Sequence, residues 1–141
     1  ARVKSANKLG SVLAKGEAAA HGADDGLVLN SDGNITETSS ANIFWVEDGA
    51  LRTPPISDGV LPGITRRLVI GLTPALGRTV REESIAPDRL QQAKAVFVTS
   101  TATGVVAVGQ VDGPALGTPP IVGQLLDAHK VELKRHTASG D

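Results

Sequence analysis

Glu37 and the turn from Gly63 to Thr65 are the parts of this chain best suited to hold a small ligand at two points. Glu37 ends a strand-like run, Ile35-Thr36-Glu37, and opens a polar loop from Thr38 to Asn42. Farther along, Leu61-Pro62-Gly63-Ile64-Thr65-Arg66 reads as the mouth of a helix. Free N–H groups and the helix dipole favour an anion there, and glycine lets it come close. A basic ring would be held protonated by the carboxylate, and a phosphate would sit at the helix mouth. Upstream, Lys4 supplies an amine, which attacks a carbonyl or takes a proton only in its neutral form. A second hydroxyl-rich turn, Thr99-Ser100-Thr101-Ala102-Thr103-Gly104, follows the most apolar strand, where α/β proteins place ligands. Each feature has an ordinary counterpart: a solvated lysine, a strand-end carboxylate, a plain helix start, a Ser/Thr loop. The helix mouth is not a Walker loop, because Gly-Lys-Ser/Thr is missing.

The elements that must position these residues follow from periodicity. Ser5 to Ala20 predicts a helix, with Leu9, Val12, Leu13, Ala19 and Ala20 at helical spacing and His21-Gly22 as its stop. Gly26 to Asn30 predicts a buried strand, residues 31–34 a turn, and Ile35 to Glu37 an antiparallel return. Asn42 to Glu47 and Ala50 to Thr53 form a further strand pair around Asp48-Gly49, ended by Pro54-Pro55. A helix follows from Gly63 to Leu76, kinked or shortened by Pro74, with Arg66 and Arg67 facing outward. Thr79 to Ile85 is an edge strand, Pro87 to Ala93 a short helix, Ala95 to Ser100 a central strand and Val105 to Val111 another. Residues 113–120 form a loop, Ile121 to Arg135 a last helix, and the tail from His136 frays. Phe44, Trp45 and Phe97 belong to the core. His21, His129 and His136 lack metal-ligand spacing and read as structural or surface groups, so no metal is expected. The expected fold is one α/β (α+β) domain, mixed sheets with outer helices.

Composition narrows the classes. A net charge of −1 gives no electrostatic case for nucleic acid or an anionic membrane. No apolar run approaches the roughly 20 residues of a membrane span, and the N-terminus has no signal-peptide pattern. The absence of cysteine excludes disulfides and thiolate chemistry, and a cytoplasmic setting is the expectation. Aromatic content of 2%, with no tyrosine, is thin for a complete small-molecule site. With no methionine either, the expectation is a piece of a longer chain.

Four blocks carry a family resemblance: Lys4-Ser5-Ala6-Asn7-Lys8-Leu9-Gly10, Thr36-Glu37 with Ser40-Ala41-Asn42-Ile43-Phe44, Thr53-Pro54-Pro55 with Leu61-Pro62-Gly63-Ile64-Thr65-Arg66, and Phe97-Val98-Thr99-Ser100-Thr101. In this order, over about residues 2–112, they resemble the class IV (fold-type IV) aminotransferases, most of all D-amino acid aminotransferase. Branched-chain aminotransferase and 4-amino-4-deoxychorismate lyase are similar too, and Asn42-Ile43-Phe44-Trp45 resembles the lyase. The resemblance implies the large C-terminal domain of a pyridoxal 5′-phosphate enzyme, spanning 1–141, with the small N-terminal domain missing and a homodimer as the assembly. It implies that Lys4 carries the coenzyme as a Schiff base and moves the proton, that Glu37 pairs with the pyridine nitrogen, and that Leu61 packs on a ring face. Ile64, Thr65 and Thr101 would hold the phosphate, with Ser100 beside them, and Ser40 and Gly63 would also bind the cofactor. Ala102, Thr103 and Gly104 would border the substrate, an amino acid or 2-oxo acid. The family often has glutamate and proline where this chain has Gly104 and Ala107, which bears on specificity. Amino transfer is the implied reaction. The lyase reaction, releasing p-aminobenzoate and pyruvate, is the alternative, and an inactive fragment or pseudoenzyme acting as an interaction module is a third reading.

Overall fold

The computed structural model describes residues 2–6, 25–111, 115–117 and 120–138. Among them, two sheets and a helical layer stack in order. The first sheet has the strand order β3-β2-β1-β9, from β1 (Arg2–Ala6), β2 (Asp25–Leu29), β3 (Ile35–Thr38) and β9 (Gln110–Val111). The second has the order β6-β5-β4-β7-β8, from β4 (Asn42–Glu47), β5 (Ala50–Thr53), β6 (Val80–Glu82), β7 (Ala95–Ser100) and β8 (Gly104–Val108). The helices are α1 (Ile64–Leu72), α2 (Pro87–Leu90) and α3 (Pro120–Ala138).

Strands β4 and β7 are near-continuous apolar runs because both of their faces are buried. On one face Ile43, Trp45 and Val96 meet Leu27 and Ile35 of the first sheet, with Ile85 and Leu90. On the other face Phe44 and Phe97 pack with Leu51, Val69 of α1 and Ile121 and Leu125 of α3. Phe44 and Phe97 are cross-strand partners whose rings stack with centroids 5.0 Å apart. All three aromatic side chains are fully buried, as the sequence predicts.

Several expectations change. Ser5 and Ala6 belong to β1 rather than to a helix, because Arg2–Ala6 pairs in parallel with both β2 and β9. The remainder of the predicted helix, through Ala20, and His21 lie outside the described residues. Val105 to Val111 is not one strand. It breaks at exposed Gly109, where the chain leaves the second sheet for the first. The helix after Gly63 ends at Leu72 and passes into a 3-10 turn, Thr73–Leu76, at Pro74, whose ring and missing N–H end a regular helix. The last helix continues past His136 to Ala138. The other crossing between sheets is the polar loop 38–42, which joins β3 to β4 and sets the site described next. No described helix is long and apolar enough to cross a membrane.

Candidate active site

Thr38 builds the crossing loop. Its fully buried hydroxyl donates to the Ala41 carbonyl at 3.1 Å and accepts the Ala41 N–H at 3.0 Å, while its own N–H donates to the same carbonyl. Threonine thereby replaces the backbone bonds that a tight turn would otherwise leave unmade. The Ser39 N–H donates to the Gly26 carbonyl at 3.0 Å, and Gly26 is the ladder partner of Lys4. The backbone therefore sets Lys4 one strand away from the loop, in the sheet that also carries Glu37 opposite Val28.

Glu37, partly exposed, reaches across to the segment before α1, where its Oε1 accepts the Leu61 N–H at 2.9 Å. Asn42, at the head of β4, donates from Nδ2 to the Leu61 carbonyl at 2.9 Å. The Leu61 segment is thus tied to both ends of the loop. Beyond it, Gly63 caps α1 with no side-chain hydrogen bond. The first N–H groups of the helix therefore have no intrahelical acceptor and no cap, which leaves them available to an anion.

These parts enclose one cavity of about 250 Å³, with Glu37, Asn42, Leu61, Gly63, Thr65 and Thr101 among its lining. Ser40, Ile64, Ser100 and Thr99 also line it. Leu61 and Ile64 stand at its rim, 67% and 68% exposed. Ser100 Oγ is engaged within its own turn, 2.7 Å from Thr103 Oγ1 and accepting the Thr103 N–H at 3.1 Å. Ala102, Thr103 and Gly104 are not among the lining residues. Gly104, at φ 71°, instead lies against the buried His129 ring, 3.1 Å from where its Cβ would be.

Arg66 departs from its expected outward position. It is 6% exposed, and its guanidinium donates to Glu82 Oε1 at 2.7 Å and to the Pro54 carbonyl at 3.3 Å. A carboxylate on β6 draws it under α1, while Arg67 stays exposed. No arginine lines the cavity among the described residues. Asn42 and Thr38 are absent from the expected site residues. The only local signal for either is a polar residue at the edge of an apolar run.

The Glu37 carboxylate and the uncapped mouth of α1 line one cavity at the place where the two sheets meet. The sequence profile described as Amino-transferase class IV matches residues 1–111, and the chain belongs to that family. It is 41% identical over 111 residues to the branched-chain-amino-acid aminotransferase of Escherichia coli K12, covering 79% of this chain and 36% of that one. Its fold superposes on the T.th. branched-chain amino acid aminotransferase complexed with N-(5′-phosphopyridoxyl)-L-glutamate, with a TM-score of 0.84, 31% identity, and 92% and 50% of the two chains covered. It superposes equally, at 0.84 and 33% identity, on a Legionella pneumophila protein proposed to be a 4-amino-4-deoxychorismate lyase, covering 90% and 54%. The fold is therefore fold type IV, and the coenzyme of the family is pyridoxal 5′-phosphate. The chain spans about a third to a half of the length of these relatives. They do not draw the finer likeness to D-amino acid aminotransferase.

Proposed function

We propose that the intact protein transfers an amino group between a branched-chain amino acid and a 2-oxo acid, with pyridoxal 5′-phosphate bound in this cavity. The observation that carries the reading is the shared grip of Glu37 and Asn42 on Leu61, which sets a carboxylate and a bare helix mouth at a fixed separation. The residues present fit the coenzyme. The uncapped N–H groups of Ile64 and Thr65 and the Thr101 hydroxyl suit a phosphate, and Glu37 suits a protonated pyridine nitrogen. Leu61 offers an apolar surface to the ring, with Gly63, Ser40 and Ser100 closing the wall.

When bound, the coenzyme supplies an aldehyde and an electron-withdrawing ring. Lys4 Nζ would form its covalent link and, once displaced by the substrate amine, carry the proton taken from the substrate Cα. Glu37 would hold the proton on the ring nitrogen. The branched-chain substrate class is supported by the relatives, which bear that name at 41% identity.

Product analysis on the intact, coenzyme-loaded protein tests the reading. Amino transfer that requires a 2-oxo acid, with valine, leucine or isoleucine as donor, supports it. Release of pyruvate from aminodeoxychorismate with no 2-oxo acid present would replace it with the lyase reading, which the similarity to the Legionella protein favours.

A further inference from the structure

Asn42 is 7% exposed, and its amide lies between the Leu61 carbonyl and Gly63. Nδ2 holds the Leu61 carbonyl, as Glu37 holds the N–H of the same residue, each at 2.9 Å. Oδ1 lies beneath Gly63, where a Cβ would fall 2.2 Å from it. Gly63 has φ −63° and ψ 147°, extended backbone that any residue adopts. Backbone conformation therefore does not require glycine here; the Asn42 amide does. That amide cannot swing aside to admit a Cβ without giving up its bond to Leu61. Its ladder partner across β4 and β7 is Thr99, also buried, so the floor beneath it is fixed as well.

We propose that Asn42 is the positioning residue of this site, setting the segment from Leu61 to Gly63 at one distance from Glu37 so that the carboxylate and the mouth of α1 can grip the two ends of a single ligand. The proposal rests on reading the cavity as the coenzyme site. Asn42 acts through the segment it holds. Losing it frees the Leu61 carbonyl and empties the space under Gly63, so the Leu61 N–H to Glu37 becomes the one remaining tie and the helix mouth is held less closely. The anionic end of the ligand suffers most, because N–H groups bind an oxyanion only when they are aimed at it.

The test compares two probes with the same ring and aldehyde, pyridoxal 5′-phosphate and pyridoxal, titrated into the intact protein stripped of coenzyme. Asn42→Ala and Gly63→Ala should each weaken pyridoxal 5′-phosphate binding about tenfold, the size of one hydrogen bond's net loss. Pyridoxal binding should change much less. In the double variant the new Cβ enters vacated space, so binding should be no weaker than in Asn42→Ala. For the same reason, the thermal destabilisation by Gly63→Ala without ligand should disappear in the Asn42→Ala background. Equal weakening of both probes, unchanged binding of the phosphorylated one, or penalties that multiply in the double variant would overturn the proposal. If Asn42→Ala does not fold, Gly63→Ala and Asn42→Ser carry the same comparison. A wild-type protein that does not prefer the phosphorylated probe overturns the coenzyme reading itself, a different outcome from variants that match a discriminating wild type.

Discussion

Replacing Glu37 by Gln separates what the carboxylate does for the fold from what its charge does for the chemistry. Oε1 accepts the Leu61 N–H at 2.9 Å, and Gln keeps a carbonyl oxygen that can do the same. A hydrogen bond to a charged acceptor has a net worth of about 1.5–3 kcal/mol and a neutral one about 0.5–1.5. Glu37 is partly solvated, so the loss in stability should be no more than about 1 kcal/mol. In the proposed role, Oε2 would face the ring nitrogen while Oε1 keeps the Leu61 N–H. Without the charge, a protonated ring loses a charge-assisted partner, and about 1.5–3 kcal/mol withheld from the transition state slows the reaction by about one to two decades. The assay is threefold: coenzyme affinity by visible absorbance, turnover at saturating substrates, and unfolding of the coenzyme-free protein. Glu37→Gln should keep its coenzyme, melt no more than a few degrees lower, and lose ten- to a hundredfold in turnover. Glu37→Ala should also lose coenzyme affinity, because Leu61 keeps only its tie to Asn42. Unchanged turnover in Glu37→Gln refutes the role given to the charge.

Borohydride reduction of the loaded protein followed by peptide mapping should put the coenzyme on Lys4, and a label on Lys8 or Lys15 would remove Lys4 from the mechanism. Phe97→Ala deletes a fully buried ring stacked on Phe44 and should cost about 3–5 kcal/mol in chemical denaturation, without altering the ratio of affinities for the two pyridoxal probes. A partly buried network of Arg52, Glu47, Glu83 and Arg89 should make stability fall in acid. Hydrogen bonding from Arg89 lowers the Glu47 pKa below its ordinary 4.5, and hydrogen bonds from Arg52 and then Arg89 lower that of Glu83. Because the folded values lie below the unfolded ones, this stabilisation is complete above about pH 4.5 and is lost as pH falls through the folded values. Glu47→Gln/Glu83→Gln should therefore unfold at lower temperature than wild type at pH 7, and the two curves should converge on acidification. Parallel curves down to pH 2 would exclude the network as the cause.

Strands β4 and β7 have the predicted limits, Asn42–Glu47 and Ala95–Ser100, because apolar runs between polar turn residues leave little choice of conformation or boundary. The Gly63 helix start, the Thr38 loop and the Pro74 break were legible for the same local reason. What the pattern could not show depends on partners distant in the chain. The turn from β8 into β9 looks like one strand, since Val105, Val108 and Val111 are buried whichever sheet receives them. Arg66 resembles a surface cation until Glu82, sixteen residues later, is brought beside it. Asn42 reads as the polar end of a strand, and its work is done on residues 61 and 63. In the candidate site, residue types and order gave the cavity wall, but the amide that spaces its two halves could be identified only in three dimensions.

The loop from Thr38 to Asn42 leaves one sheet and enters the other, so the cavity straddles a junction: Glu37 stands on one side, Asn42 and Thr99 on the other. Whatever fills it would act as a strut between two sheets that are also joined by the crossing loop, by Glu37's bond to Leu61 and by apolar packing across their faces. Such an occupant binds the folded chain and not the unfolded one, adding about 2.7 kcal/mol at a free concentration a hundred times its Kd. That increment falls on the seam rather than being spread through the cores on either side. Release of the ligand would therefore loosen the junction first, leaving each sheet with its own ladder and its own buried face while the alignment between them relaxes. A ligand held there would be a mechanical member of the fold as well as a reagent.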